Sequence, residues 1–177
     1  MRLTPTPLAG AFVIELDLLR DERGYFARTF DAPEFAKAGL DPAVVQCNTS
    51  YNAAAGTLRG LHYQADPDGE AKLVRCTRGA IFDVAVDLRP RSGTYCRWFG
   101  VELTADNRRM LYIPVGMAHG FQTLQAQSEV HYQMSHPHLP DQARGVRFDD
   151  PAFGIPWPLP DPIVSERDRS FPDFERR

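Results

Sequence analysis

The chain has 177 residues, the length of one domain with a single sizeable core. Hydrophobic residues make up 43% and charged residues 24%, with a formal net charge of -3, which excludes a global basic field for nucleic acid and makes any anion site local. The 15 prolines and 13 glycines imply many turns and favour short strands over helices.

Residues 1–10 hold no apolar run of signal-peptide length, and no later stretch approaches the ~18 apolar residues of a membrane span, so a cytoplasmic protein without membrane partners is expected. The first strand is predicted at residues 12–18, where Phe12, Ile14, Leu16 and Leu18 alternate with Val13, Glu15 and Asp17. Asp31 as N-cap, Pro33 in the first turn and Glu34 three places on predict a short helix through residues 35–38, stopped by Gly39. Further strands are predicted at 44–51, 57–64, 72–77, 80–88, 98–103, 109–113, 120–124 and 129–134. Turn clusters such as Asp66-Pro67-Asp68-Gly69 and Pro114-Val115-Gly116 separate them.

Many short strands at this spacing predict an all-β sandwich or closed barrel with one or a few short helices. The core is expected over about residues 10–148. The tail 149–177, with Pro151, Pro156, Pro158, Pro160, Pro162 and Pro172, is expected to cross the surface without extended regular structure. Cys47, Cys76 and Cys96 are odd in number and lack CxxC spacing, which fits neither a disulfide framework nor a zinc site; buried free thiols are expected.

Four signatures carry the chemistry: Leu58-Arg59-Gly60-Leu61-His62-Tyr63-Gln64; Lys72-Leu73-Val74-Arg75-Cys76 with Gly79 and Asp83-Val84-Ala85-Val86-Asp87; Ile113-Pro114-Val115-Gly116-Met117-Ala118-His119-Gly120-Phe121; and Val130-His131-Tyr132. With Asp21-Glu22-Arg23-Gly24 near the start and Ser165-Glu166-Arg167-Asp168 near the end, they resemble the dTDP-4-dehydrorhamnose 3,5-epimerase family in order and spacing over nearly the whole chain. The resemblance implies a cupin-type jelly roll with the site inside the barrel, a homodimer and no cofactor. The substrate it implies is a nucleotide-linked 4-keto-6-deoxy sugar, dTDP-4-dehydro-6-deoxy-D-glucose, inverted at carbons 3 and 5 on the way to dTDP-rhamnose. The alternatives are a mono-epimerase or an epimerase of another nucleotide sugar, a 3,4-ketoisomerase, and a sugar-binding cupin without activity.

Epimerisation beside a ketone removes a proton from carbon, holds an enolate and returns a proton to the opposite face. It needs a base, an acid on the other side and an electrophile for the enolate oxygen. His62 is the candidate base, because an imidazole with a reference pKa of about 6.5 is substantially neutral near pH 7. The resemblance implies that Asp168 orients it. Lys72 heads a strand and shares a face with Val74 and Cys76; it either stabilises the enolate or snorkels into water. Tyr132, on a face with Val130 and Met134, either supplies the second proton or simply packs.

Arg59 and Arg23 are candidate diphosphate ligands, since a guanidinium fork matches phosphate oxygens, and the resemblance implies that Arg23 reaches the partner subunit's site. Strict alternation would point Arg59 and His62 to opposite faces, a tension that a bulge or bend at Gly60 can relieve. Gln46 and Asn48 share a strand face and match family positions that bind the ligand, as do His119 and Arg167. Phe26 either stacks on the ligand or belongs to the core.

A cupin metal site is not expected. The strand motif has only His62, with Leu61 and Gln64 nearby, and in His136-Pro137-His138 a proline separates the pair. The family often carries glutamate where this chain has Arg28, tyrosine where it has His138, glutamate where it has Ala143 and lysine where it has Arg167. These positions lie around the ligand and away from the proton-transfer centre.

Overall fold

The computed structural model describes residues 1–176. Two antiparallel sheets form the body. The first contains, in spatial order, β1 (Arg2–Pro5), β2 (Phe12–Glu15), β10 (Met110–Ile113), β7 (Lys72–Arg78), β12 (Ser128–Met134) and β5 (Gln46–Asn52). The second contains β13 (Ala143–Gly145), β6 (Leu58–Gln64), β11 (Met117–Thr123), β8 (Ala80–Asp87) and β9 (Trp98–Thr104). A separate hairpin pairs β3 (Leu19–Asp21) with β4 (Gly24–Phe26). This is a cupin-type jelly roll, with sequential neighbours divided between the sheets.

Alternation explains which side chains meet. Val74, Cys76, Leu111, Ile113 and Val130 of the first sheet pack against Ile81, Ala85, Leu103, Met117 and Phe121 of the second, all buried. The outer faces are covered too. Helix α1 (Ala32–Lys37) lays Phe35 on Ile14, Leu73, Met110 and Tyr112. Residues from the tail, Phe153, Trp157 and Phe174, cover Leu61, Val84, Val86 and Ala118 on the second sheet. Double coverage explains why β8 and β11 are buried along nearly their whole length instead of alternating with polar residues.

Helix α1 forms as its sequence dictates: the Asp31 carboxylate accepts from the Glu34 N–H at 3.2 Å, and Gly39 takes a φ of +73° just past the end. Several expectations are corrected. The strand predicted at 12–18 stops at Glu15, because the chain then turns into the hairpin β3–β4, where Gly24 adopts a φ of +130°. β11 begins at Met117, directly after the turn at Gly116, and not at residue 120. The tail contains a one-turn helix, α2 (Glu166–Arg169), whose N-cap Ser165 hydroxyl accepts from the Asp168 N–H at 3.1 Å. All three cysteines are free, but Cys47 is exposed on edge strand β5; Cys76 is buried and Cys96 half-buried. No helix is long and apolar enough to cross a membrane among the described residues.

Candidate active site

A cavity of about 580 Å³ opens between the sheets, walled by β5, β7 and β12 on one side, β6 and β11 on the other, and closed at one end by α2. Of the residues singled out by sequence, His62, Asp168, Lys72, Tyr132, Arg59, Asn48, His119 and Arg167 all line it.

The tension between Arg59 and His62 is resolved in the backbone. Opposite β11, His62 pairs with His119 and Arg59 with Phe121, so two residues of β6 oppose the single Gly120, which is a β-bulge. Gly60 makes it possible: its φ is +131°, and a Cβ there would come within 2.5 Å of the Gly120 Cα. The bulge turns both Arg59 and His62 towards the cavity.

It also presents the Gly60 N–H to Asp168. The Oδ2 of Asp168 accepts that bond at 3.1 Å, and its Oδ1 lies 2.7 Å from His62 Nε2. Burial opposes ionisation of Asp168, but the hydrogen bond and charge of His62, the Gly60 N–H and Arg167 outweigh it and hold the carboxyl below its ordinary range. With Nε2 engaged by Asp168, Nδ1 is the ring nitrogen left to take a proton. Phe171 packs edge-on against the imidazole, with centroids 6.2 Å apart.

Tyr132 reaches the cavity from the opposite sheet. Its phenol is pushed well up by burial and by the negative charge of Asp83, with a hydrogen bond to Ser50 and the charge of Arg59 acting the other way. The group therefore holds its proton across the neutral range, as an acid must. Its ring lies against His119, 5.9 Å between centroids, and Phe121.

Two buried charge clusters complete the walls. His119 Nε2 lies 2.7 Å from Asp83 Oδ1, and burial pushes the Asp83 carboxyl up against the opposing charges of His119 and Lys72. Lys72 Nζ lies 3.0 Å from Glu70 Oε1 and donates to the His62 carbonyl at 3.3 Å. At the mouth, the exposed Arg59 donates from Nε to Asn52 Oδ1 at 2.8 Å, which fixes the guanidinium without neutralising it.

Three expected residues lie elsewhere. Arg23 sits at the turn of the hairpin β3–β4, paired with Asp21, outside the cavity of its own chain. Phe26 is 66% exposed on the same hairpin and belongs neither to the core nor to the cavity wall. Gln46 stands at the rim: its amide donates to Asn48 Oδ1 at 3.3 Å and accepts from the His138 N–H at 2.9 Å, positioning two lining residues instead of lining the cavity itself. His138 and Ala143 line the cavity, but Arg28 does not; it pairs with Asp31.

Glu70, Ser50 and Asp83 went unassigned in the sequence. For Asp83 a signal existed: a carboxylate inside an apolar strand needs a buried partner. Glu70, in the Gly- and Asp-rich stretch before β7, reads as a solvated turn residue. Among the described residues, no three of His, Cys, Asp and Glu converge as a metal-binding group.

The model of a protein family described as dTDP-4-dehydrorhamnose 3,5-epimerase matches residues 5–176. The dTDP-4-dehydrorhamnose 3,5-epimerase of Methanothermobacter thermautotrophicus is 47% identical over 174 residues, covering 96% of this chain and 92% of that protein. The crystal structure of the enzyme of that name from Elizabethkingia anophelis superposes with a TM-score of 0.96 at 38% identity, covering 98% of this chain and 96% of that one. A dTDP-6-deoxy-D-glucose-3,5-epimerase from Legionella pneumophila, solved in complex with dTDP-4-keto-L-rhamnose, gives a TM-score of 0.88 at 36% identity, over 94% of this chain and 89% of that one.

Proposed function

Because the chain belongs to the dTDP-4-dehydrorhamnose 3,5-epimerase family, we infer that it converts dTDP-4-dehydro-6-deoxy-D-glucose to dTDP-4-dehydro-L-rhamnose by inverting carbons 3 and 5. The observation that carries the mechanism is that His62 and Tyr132 stand on opposite sheets and line one cavity. A base on one wall and an acid on the other is the arrangement that inversion requires, because a single group returns a proton only to the face it came from. Neutral His62, oriented by Asp168, removes the proton beside the ketone. Lys72 faces the enolate oxygen, and Tyr132 delivers the new proton. Arg59 holds the diphosphate at the mouth, with Asn48, His119 and Arg167 contacting the nucleotide sugar. The steps are proton transfers through an enolate and need neither metal nor cofactor.

The same reading gives the working form as a cytoplasmic homodimer in which the whole chain acts as one domain. Leu19, Tyr25 and Phe26 on the hairpin β3–β4, and Val45 and Tyr51 at β5, are exposed apolar surface suited to a second subunit. Arg23 on that hairpin then serves the partner's cavity, which accounts for its distance from its own.

Incubation with dTDP-4-dehydro-6-deoxy-D-glucose in deuterated water, followed by NMR at each carbon, tests the assignment. Deuterium with inversion at carbons 3 and 5 is expected. Label at one carbon alone would restrict the enzyme to a single inversion, and label at neither would remove this substrate.

A further inference from the structure

We propose that Glu70 is a positioning residue of this reaction, acting through Lys72. Glu70 and Lys72 are two residues apart, Lys72 at the head of β7, and both line the cavity. Neither is a solvated surface charge: the side chains are 8% and 11% exposed, and Glu70 Oε1 lies 3.0 Å from Lys72 Nζ. The backbone between them is held twice by Ser135. Ala71 donates its N–H to Ser135 Oγ at 2.9 Å, and its carbonyl accepts from the Ser135 N–H at 3.0 Å.

An ammonium has three N–H donors and rotates freely about its terminal bond unless acceptors hold it. Here the Glu70 carboxylate holds the ammonium as an ion pair at 3.0 Å and the His62 carbonyl accepts one N–H at 3.3 Å, so the ammonium is held from two directions at the cavity wall. A donor aimed before the charge develops stabilises an enolate without reorganisation. The charges facing Lys72 from other elements are Asp83 on β8 and, beyond it, His119 on β11; they attract or repel the ammonium but make no direct contact that orients it. The carboxylate of Glu70 is thus the side chain that holds the ammonium in place beside the cavity. This rests on the assignment of Lys72 to the enolate oxygen.

Five variants of the full-length enzyme separate the possibilities: Glu70→Gln, Glu70→Asp, Glu70→Gly, Lys72→Met and Lys72→Met with Glu70→Gly. The readouts are kcat and KM for the dTDP-4-keto sugar, dTDP affinity by calorimetry and thermal melting. Glu70→Gln keeps an acceptor oxygen at the same reach and should retain most of kcat. Glu70→Asp keeps the charge but withdraws the acceptor by one methylene, and should lower kcat roughly ten- to hundredfold with dTDP affinity unchanged. In the Lys72→Met background, removing Glu70 should cost nothing further, since a role exercised through Lys72 ends with it. Full activity in Glu70→Asp, a loss in Glu70→Gln equal to that in Glu70→Asp, or an additive loss in the double variant would each overturn the proposal. Wild-type kcat in Lys72→Met would instead remove Lys72 from the enolate, a separate and distinguishable failure.

Discussion

Asp168 meets His62 across 106 positions of sequence, its Oδ1 2.7 Å from the imidazole Nε2. The carboxylate reaches the ring because α2 closes the cavity and the bulge at Gly60 offers it a second hydrogen bond. Asp168→Asn removes the charge that stabilises an imidazolium and can reverse the ring's tautomer. It should lower kcat by roughly 10²- to 10⁴-fold while dTDP binding, measured by calorimetry, stays near wild type. Unchanged kcat would reduce the pair to a structural contact.

The proximity of these two groups was legible only in part. His62 and Lys72 fall on clear β alternation, and the conflict between Arg59 and His62 pointed directly to Gly60. α2 was missed because a single turn amid prolines has no periodicity; its signal was Ser165 three places before Asp168, a capping pattern. Glu70 was hidden by its turn-like neighbours, and its burial follows from packing between sheets that no local pattern encodes. The first strand was read on to residue 18 because Leu16 and Leu18 continue the alternation of β2, which ends at Glu15, and the hairpin β3–β4 that follows was not predicted.

Gly60→Ala tests the bulge itself. The added Cβ would meet the Gly120 Cα at 2.5 Å and the His119 carbonyl oxygen at 2.9 Å, both backbone atoms that cannot swing away, at a φ of +131°. A loss of about 2 kcal/mol or more in chemical denaturation is expected. Both dTDP affinity and solvent exchange should fall, because Arg59 and His62 leave the same bulge. Wild-type stability would show that the backbone finds another route.

Asp87 makes a separate prediction about acid stability. Burial opposes its ionisation, yet Arg89, Ser92 and Thr94 hydrogen-bond the carboxylate and bring its pKa down to about 2. A depressed carboxylate stabilises the fold fully above its unfolded pKa of about 3.9 and loses that contribution as pH falls through its folded value, so the window runs from about 4 down to about 2. Asp87→Asn should cost on the order of 2 kcal/mol at pH 7. Its deficit relative to wild type should shrink across that window in urea titrations; a deficit independent of pH would assign the effect to packing.

Tyr132 offers the test that separates the two proton transfers. Its phenol is held neutral by burial and stands on the sheet opposite His62. If His62 alone removes the proton, Tyr132→Phe still forms the enolate and still exchanges deuterium into the substrate on the original face. Inversion should fall much further than exchange, because the base returns a proton only to the side from which it took one and the other wall has lost its donor. Water can substitute slowly through the open mouth, so inversion is impaired and not abolished. Phenylalanine keeps the ring contacts with His119 and Phe121, so the loss cannot be ascribed to a collapsed wall. The quantity to measure by NMR is the ratio of deuterium wash-in with retention to net epimer formation, at saturation, against wild type. A ratio that does not rise would leave Tyr132 as packing and move the second proton to another group.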